Sequence, residues 1–189
     1  GAIPGPRKAI QGRPRQNGPK IRVKGMNPAN LRIGIGHDTH RLIPGGPLVL
    51  GGLRIDYDQQ LAGHSDADVL LHAVTDALLG AAGLGDIGEM FPDNLSENKD
   101  RNSLEMLQTA FSLVVQQGFK LINLDCIVFA EQPKLSPYKL EMAKTIAAAT
   151  QVEPGQVNVK AKTGEGVGAI GSGECMMAQC IALLYRSDE

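Results

Sequence analysis

The residues best suited to chemistry are histidines and aspartates that concentrate early in the chain. All four histidines, His37, His40, His64 and His72, fall within a stretch of 36 residues. Asp38 separates the first two, and alternation along a strand would place Asp38 and His40 on one side, with Cα atoms about 7 Å apart and His37 facing the other way. One carboxylate and two imidazoles with an open fourth position are typical of catalytic zinc. Asp38, His40 and His72 are therefore candidate zinc ligands, although a helical histidine is also compatible with a hydrogen-bonded core residue.

His72 belongs to a polar stripe on a predicted helix. Asp68, His72 and Asp76 recur at intervals of four residues, which places them on one face of an otherwise apolar helix over 65–83. The two carboxylates are candidates to orient the imidazole by hydrogen bonding, Asp76 in particular. Asp68 is equally explained as a first-turn carboxylate that the helix dipole favours.

Three further segments carry groups suited to anions and hydroxyls. His64 and Ser65, at the predicted helix start, combine an imidazole with free backbone N–H groups that can bind phosphate oxygens, although Ser65 is equally suited to cap the helix. Segment 160–165, KAKTGE, could hold phosphates and a hard cation, or could be a solvated strand end. Loop 85–93 contains two aspartates, which suit either hydroxyl recognition or ordinary turns.

Hydrophobic periodicity predicts the elements that position these segments. Strands are predicted over 31–37, 121–130, 156–162 and 174–185, with a hairpin over 48–55 around a Gly-Gly pair. Helices are predicted over 65–83, 102–117 and 137–150, with Gly83 or Gly85 ending the first and Gly118 the second. This order predicts an α+β domain, a mostly four-stranded mixed sheet with helices on one face. The long apolar strands leave the other face in need of a partner, which three copies packed about one axis would supply.

Length and composition restrict the class of protein. A chain of 189 residues and 20.1 kDa suffices for one domain, and no apolar stretch approaches the roughly 20 residues that span a bilayer. Three cysteines and no apolar leader point to a reducing compartment, and we interpret Cys126, Cys175 and Cys180 as small core residues. We expect a cytoplasmic protein with no membrane or nucleic-acid partner.

The N-terminal 30 residues differ from the rest of the chain. They carry seven Lys or Arg and no acid, in a Gly/Pro-rich context without aromatic residues. Such a segment suits a disordered leader, a linker, a nucleic-acid arm or a transit peptide, although it lacks the serine enrichment of the last. We interpret 1–30 as a disordered leader and 31–189 as the catalytic domain, with a plastid location as the alternative if the leader is a processed transit segment.

A family resemblance becomes specific when the motifs are taken together. The chain reads DTH at 38–40, HSDAD at 64–68, HAVTDALLG at 72–80 and GDIG at 85–88. It continues with FPD at 91–93, QPK at 132–134 and VNVKA at 157–161. In order and spacing this sequence resembles the 2-C-methyl-D-erythritol 2,4-cyclodiphosphate synthase family over residues 31–186.

The resemblance implies a function and a set of site residues. Members convert 4-diphosphocytidyl-2-C-methyl-D-erythritol 2-phosphate to the cyclic diphosphate with release of CMP, in the non-mevalonate isoprenoid pathway, as homotrimers with sites between subunits. It implies that Asp38, His40 and His72 bind zinc, that Glu165 binds magnesium or manganese, and that His64 and Thr163 stabilise the transition state. The resemblance also implies that Asp38, His40, His64, Thr163 and Glu165 contact the substrate. It implies that the erythritol part is held by Asp86, Ile87, Gly88 and Asp93, and that the cytidine pocket is formed by Ala130, Pro133, Lys134 and Leu135. Further implied substrate contacts are Ser65, Phe91, Lys162 and Gly164.

The sequence departs from the family pattern at four positions, and two rival functions fit the same ligands. His37 and Gly164 stand where an aromatic residue and threonine are usual, while Ser172 and Gln179 replace an arginine and a glutamate that in some relatives accompany an isoprenoid diphosphate on the trimer axis. A zinc hydrolase could use the three ligands with a metal-bound water. A binding protein with structural zinc would need a fourth protein ligand, and none is evident in the sequence.

Overall fold

A five-stranded mixed sheet is the centre of the structure, a computed structural model that describes residues 27–92 and 101–186. The strand order is β4-β1-β7-β5-β6, where only β5 and β6 run parallel. The sheet strands are β1 Leu31–Pro44, β4 Gln59–Leu61, β5 Phe119–Phe129, β6 Val157–Lys162 and β7 Cys175–Arg186, and β2 Leu48–Leu50 pairs with β3 Leu53–Ile55 as a separate hairpin. The helices are α1 Val69–Ala82, α2 Ile87–Met90, α3 Ser103–Gln116, α4 Lys139–Ala149 and α5 Gly168–Gly171.

Helix α1 packs unusually close to strand β1, and this contact fixes the distance between the two elements that carry the candidate ligands. A Cβ atom added to Gly36 would lie 1.9 Å from the backbone oxygen of Ala73, and one added to Gly34 would lie 2.0 Å from that of Ala77. Only glycine permits such an approach of helix to strand. Behind the contact, α1 is buried along nearly its whole length.

The opposite face of the sheet exposes large apolar side chains. Ile33 is 74% exposed, Ile35 68% and Ile181 50%. Ile35 and Ile181 are direct partners on the neighbouring strands β1 and β7, so their side chains lie together on this face. We call the surface formed by these three residues the open sheet face.

Most predicted elements are confirmed to within a few residues. The sheet contains the four expected long strands, and the three-residue β4 extends it by one. Gly51 and Gly52 have φ values of +61° and +76°, which suit the tight hairpin turn between β2 and β3. Gly83, with φ +72°, ends α1, and Gly118 follows α3. Within the described residues, no helix has the length and hydropathy needed to cross a membrane.

Two predicted boundaries were wrong. Helix α1 begins at Val69 rather than at residue 65, because Ala67 has φ +56° and Asp68 is the N-cap, its carboxylate accepting from the backbone N–H of Leu71. Strand β1 does not end at His37, the predicted limit. It continues to Pro44, since residues 38–41 still pair with β7 and residues 42–44 pair with β4.

Two of the three cysteines are core residues as predicted, whereas Cys175 is only half-buried. Cys126 and Cys180 are buried partners on β5 and β7, with Sγ atoms 3.5 Å apart, while Cys175 is half-buried on the other side of β7. The basic segment 1–26 and residues 93–100 lie outside the described residues, and so does the predicted role of Asp93. Residues Pro28–Asn30 form a short 3-10 turn before β1.

Candidate active site

Three side chains from β1 and α1 converge on one point. Asp38 Oδ2 lies 2.9 Å from His40 Nε2 and 2.9 Å from His72 Nδ1, and the two nitrogen atoms are 3.2 Å apart. Ligand atoms of a tetrahedral zinc site with bonds near 2.0–2.1 Å are separated by about 3.3 Å. The three atoms therefore form a triangle of nearly the size of one face of such a tetrahedron, which leaves the fourth position open. No fourth His, Cys, Asp or Glu joins this group in residues 27–92 and 101–186.

Sequence position and packing together explain the convergence. Asp38 and His40 alternate on β1 and face the helices, as predicted, whereas His37 faces the other way and is exposed. His72 lies in the first turn of α1, directly before Ala73, the residue in closest contact with Gly36. The same glycine contact that joins helix to strand therefore sets the separation between His72 and the two ligands on β1.

Hydrogen bonds behind the ligands fix their orientation. His40 Nδ1 donates to the backbone oxygen of Ala62 at 2.7 Å, so Nε2 presents its lone pair to the centre. His72 Nε2 lies 3.1 Å from Ser65 Oγ and 2.9 Å from Ser103 Oγ, on the side away from the centre. Both imidazoles thus have their second nitrogen engaged, as in most protein metal sites.

The predicted orienting carboxylates were wrong. Asp68 is fully buried, and its two oxygens accept from the backbone N–H groups of Gly51, Gly52 and Leu71. Asp76 accepts from the backbone N–H of Ile87 at 2.8 Å. Among the described residues neither carboxylate is hydrogen-bonded to His72, since Asp68 binds backbone donors of the hairpin turn and of α1 and Asp76 binds the start of α2. The hydroxyl of Ser103, from α3, was not anticipated, since nothing in the sequence relates a serine 31 positions away to His72.

Contacts within the cluster shift the pKa values of Asp38 and His40. Burial alone would raise the pKa of Asp38, but the hydrogen bonds and charges of His40 and His72 outweigh it and hold the pKa below its usual value. Burial alone would lower the pKa of His40, but the hydrogen bond and charge of Asp38 raise it above the ordinary 6.5. The site therefore favours a negative carboxylate facing positive charge, which is the electrostatic environment of a cation site.

A cleft of about 300 Å³ opens beside the three ligands. Its lining residues are Asp38, His40, Gly63, His64, Ser65, His72, Ile87, Gly88, Phe91 and Met106. Of the predicted anion-binding and hydroxyl-binding segments, only His64, Ser65, Ile87, Gly88 and Phe91 line this cleft beside the metal position, with His64 exposed at the surface. Asp86 does not line the cleft, and its carboxylate caps α2 by accepting from the N–H of Glu89 at 2.9 Å.

A second cleft lies at the same end of the sheet, beside the edge strand β6. It measures about 120 Å³ and is lined by Ala130, Glu131, Pro133, Lys134, Leu135, Ser136, Ala161, Lys162 and Thr163. Asp38 is level with Ala178, Val128 and Ala161 across successive strands, so three strand spacings, or about 14 Å, separate the two clefts. Within one chain the structure does not bring Lys134 and Thr163 to the metal position.

Hydrogen bonds from Thr163 and Gly164 to two glutamates hold the segment after β6. The Thr163 hydroxyl donates to Glu165 Oε1 at 2.8 Å, and the N–H of Gly164 donates to Glu131 Oε2 at 3.0 Å. Both Thr163 and Glu165 are exposed. Glu165 has φ +53°, in the left-handed region, which turns the chain sharply beside the second cleft.

The fold and the Asp-His-His centre define the class of protein: an α+β domain with a cluster that could hold a metal ion beside a cleft. Comparisons with known proteins identify the family. The family model described as YgbB matches residues 31–185. The chain is 54% identical over 154 residues to 2-C-methyl-D-erythritol 2,4-cyclodiphosphate synthase of Desulfatibacillum aliphaticivorans, covering 82% of this chain and 99% of that protein. It is 49% identical over 159 residues to the synthase of Pelotomaculum thermopropionicum, covering 84% and 98%.

Solved structures agree with this assignment. The bifunctional IspDF of Campylobacter jejuni superposes with a TM-score of 0.81 at 43% identity, covering 84% of this chain and 43% of that longer chain. The IspF of Plasmodium falciparum in complex with CDP gives 0.74 at 31% identity, covering 84% and 98%. The chain belongs to the 2-C-methyl-D-erythritol 2,4-cyclodiphosphate synthase family, and the resemblance noted in the sequence is confirmed.

Proposed function

We propose that this chain converts 4-diphosphocytidyl-2-C-methyl-D-erythritol 2-phosphate to 2-C-methyl-D-erythritol 2,4-cyclodiphosphate and CMP, in the non-mevalonate pathway to isoprenoid precursors. The observation that carries the proposal is the triangle of Asp38 Oδ2, His40 Nε2 and His72 Nδ1 at the edge of a cleft. Its open fourth position is what a phosphoryl oxygen requires in order to reach the metal. Relatives that match over nearly their whole length bear the name of this activity.

The donor set supports zinc at this centre and a harder cation elsewhere. Two imidazoles and one carboxylate suit zinc, whereas Glu165 offers the oxygen ligand that magnesium or manganese prefers. When bound, the two cations supply Lewis acids that withdraw charge from the phosphoryl oxygens. Thr163 holds the Glu165 carboxylate by a hydrogen bond of 2.8 Å, which limits its freedom before a cation arrives.

The protein's own residues position the substrate rather than react with it. The nucleophile is an oxygen of the substrate's 2-phosphate, which forms a bond to the β-phosphorus while the bond from that phosphorus to the bridging oxygen breaks and CMP departs with the oxygen. Because the nucleophile is already anionic, positioning and charge stabilisation are the main tasks of the enzyme. We assign stabilisation of the transition state to His64 and Thr163, and phosphate binding to Ser65, Lys162 and Gly164.

The two clefts suit the two ends of the substrate. Ile87 and Gly88, in the metal cleft, are proposed to hold the erythritol part of the substrate together with Asp86 and Asp93, and Phe91 is proposed to contact the substrate in the same cleft. Ala130, Pro133, Lys134 and Leu135, in the second cleft, are proposed to hold cytidine, and a CDP complex of the related Plasmodium falciparum protein is known. Because about 14 Å of sheet separates the clefts within one chain, we assign them to different subunits of one site.

A homotrimer satisfies this requirement and covers the open sheet face. Ile33, Ile35 and Ile181 expose an apolar surface that three copies can bury about a common axis, in a closed arrangement without a free interface. The same packing can bring the metal cleft of one subunit to the second cleft of its neighbour. We retain the expectations of a leader over 1–30, a catalytic domain over 31–189 and a cytoplasmic location, with a plastid as the alternative, and bacterial relatives favour the cytoplasm.

Metal analysis combined with product analysis tests the proposal. The purified protein should hold about one zinc per chain and release CMP and a cyclic diphosphate from the substrate. His72→Ala should lose both zinc and activity, whereas His37→Ala, which alters a histidine on the opposite side of the same strand, should keep its zinc. Release of inorganic phosphate in place of the cyclic product would instead identify a hydrolase, and full zinc content in His72→Ala would show that the ligands are wrongly assigned.

A further inference from the structure

The side of His72 that faces away from the metal position contacts a segment that no sequence pattern connects with it. Ser103, the first residue of α3, is fully buried, and its Oγ lies 2.9 Å from His72 Nε2. Asp66, in the loop before α1, accepts from the Ser103 hydroxyl through Oδ1 and from the Ser103 backbone N–H through Oδ2, at 3.1 Å for the latter. Both carboxylate oxygens therefore bind Ser103, and Oδ1 also accepts from the backbone N–H of Asp68 at 3.4 Å.

The direction of each hydrogen bond follows from the chemistry of the groups. A carboxylate accepts only, so the Ser103 hydroxyl must donate its hydrogen to Asp66. That hydroxyl oxygen can then serve His72 only as an acceptor, which requires the proton of His72 to reside on Nε2. The neutral imidazole carries one proton, so Nδ1 is left with its lone pair directed at Asp38 and His40.

We propose that Asp66 and Ser103 are positioning residues that hold His72 in the tautomer and ring orientation needed to bind the metal through Nδ1. The relay runs from the Asp66 carboxylate through the Ser103 hydroxyl to His72 Nε2–H. The backbone oxygen of Ala62 has the same role for His40, because it accepts from Nδ1–H and so leaves Nε2 to face the metal position. The two ligand histidines are thus oriented by different means, one by the backbone of the loop after β4 and the other by side chains that join that loop to α3.

The relay also ties the metal site to the packing of two helices. Asp66 donates its backbone N–H to the backbone oxygen of Arg101 at 3.2 Å, so the loop before α1 and the start of α3 are joined by backbone as well as side-chain hydrogen bonds. Ser65 Oγ also lies 3.1 Å from His72 Nε2, but it accepts from the N–H of Ala67 and lines the cleft. Ser103 is the better-defined partner because it is buried, lies nearer at 2.9 Å, and commits its hydroxyl proton to the Asp66 carboxylate, which leaves its oxygen to accept from His72.

This inference rests on the metal site proposed above, and the two can fail separately. The measurement is the zinc dissociation constant, obtained by competition with a chromophoric chelator, for the wild type and for Ser103→Ala, Ser103→Thr, Asp66→Asn and Ser112→Ala. Ser112 provides the matched control, because it lies on the same helix and its exposed hydroxyl bonds only the backbone oxygen of Gln108. A wild type that binds no zinc would contradict the proposed function, whereas the ratios between variants test the relay.

We expect Ser103→Ala to weaken zinc binding about 10- to 100-fold, the usual cost of losing a hydrogen-bond partner of a ligand histidine. Ser103→Thr, which keeps the hydroxyl, should restore most of that loss, and Ser112→Ala should match the wild type. Asp66→Asn should weaken binding in the same direction, because its neutral amide is a poorer acceptor for the serine.

A spectroscopic readout separates positioning from a general structural role. In the zinc-loaded wild type, the His72 Nε2 proton should give a downfield NMR signal that exchanges slowly with water, and Ser103→Ala should move that signal and speed its exchange. Equal zinc affinity and an unchanged proton signal in Ser103→Ala would overturn the proposal. If Ser103→Ala does not fold, the near-isosteric Asp66→Asn decides, and wild-type affinity in that variant would overturn the role of Asp66.

Discussion

Gly36→Ala is the substitution that most directly tests how the fold builds the metal site. The new Cβ would lie 1.9 Å from the backbone oxygen of Ala73 and 2.7 Å from the backbone nitrogen of Ala77. Ordinary contact begins at 3.4 Å, so the closest pair is 1.5 Å too near. A backbone carbonyl in a helix cannot rotate aside, and α1 must therefore move away from β1 by a distance of about this size.

A displacement of this size should have a large effect on zinc affinity and a moderate effect on the stability of the fold. Metal–ligand distances tolerate changes of only about 0.2 Å, so moving α1 by 1.5 Å would carry His72 out of reach of a metal held by Asp38 and His40. We expect zinc affinity to fall by more than about 100-fold, beyond the loss of a single outer hydrogen bond. Overpacking of a core costs about 1–3 kcal/mol, and the upper end applies here because the obstruction is backbone.

Chelator competition and urea unfolding of the zinc-free protein measure the two effects separately. Gly80→Ala is the matched control. Gly80 lies on α1, the helix that Gly36 contacts, and a Cβ added there has the backbone oxygen of Ile35, at 4.0 Å, as its nearest neighbour. That variant should keep its zinc and gain up to about 1 kcal/mol from helix propensity. Wild-type zinc affinity in Gly36→Ala would refute the reasoning, because it would show that the distance between α1 and β1 does not control the site.

Three further predictions concern protons, the second cation and assembly. Zinc affinity should fall as the pH is lowered through the pKa of His40, which is raised above the ordinary 6.5. The fall should be about tenfold per pH unit for each proton that zinc displaces, and a zinc affinity that does not change with pH would contradict this. Glu165→Gln should raise the magnesium or manganese concentration needed for activity while leaving zinc content unchanged, and an unaltered cation titration would exclude Glu165 as a ligand. Sedimentation should report about three times 20.1 kDa, and mixing inactive His72→Ala and Lys134→Ala chains should restore some activity through hybrid sites, whereas a fully active monomer would exclude the shared site.

The proton dependence has a second consequence for the zinc-free protein. Asp38, whose pKa is lowered, contributes stability that is present above its unfolded value near 3.8 and is lost as the pH falls below it. His40, whose pKa is raised, contributes stability that is complete below 6.5 and is lost as the pH rises through its folded value. The contribution of this pair is therefore greatest between those two unfolded values, and urea unfolding measures it by comparing that range with pH values below 3.8 and above the folded pKa of His40.

The sequence by itself determined which residues could bind a metal. Alternation on β1 placed Asp38 and His40 on one side and His37 on the other, because the side-chain period of a strand is two regardless of what surrounds it. The limits of α3, α4, β6 and β7 were also predictable, since apolar periodicity and the glycine after α3 are local signals. The family resemblance rested on motifs that are contiguous in the chain, and these need no tertiary information.

What orients those ligands depends on contacts between elements that are far apart in the chain. Asp68, His72 and Asp76 do follow one another along the start of the helix, but Asp68 accepts from backbone N–H groups of the hairpin turn and of α1, and Asp76 accepts from the start of α2. The hydroxyl of Ser103 takes their place, 31 residues along the chain, because α3 packs its first turn against α1. A hydrogen bond depends on the position of both partners in space, and residue spacing specifies that position only within a single helix or strand.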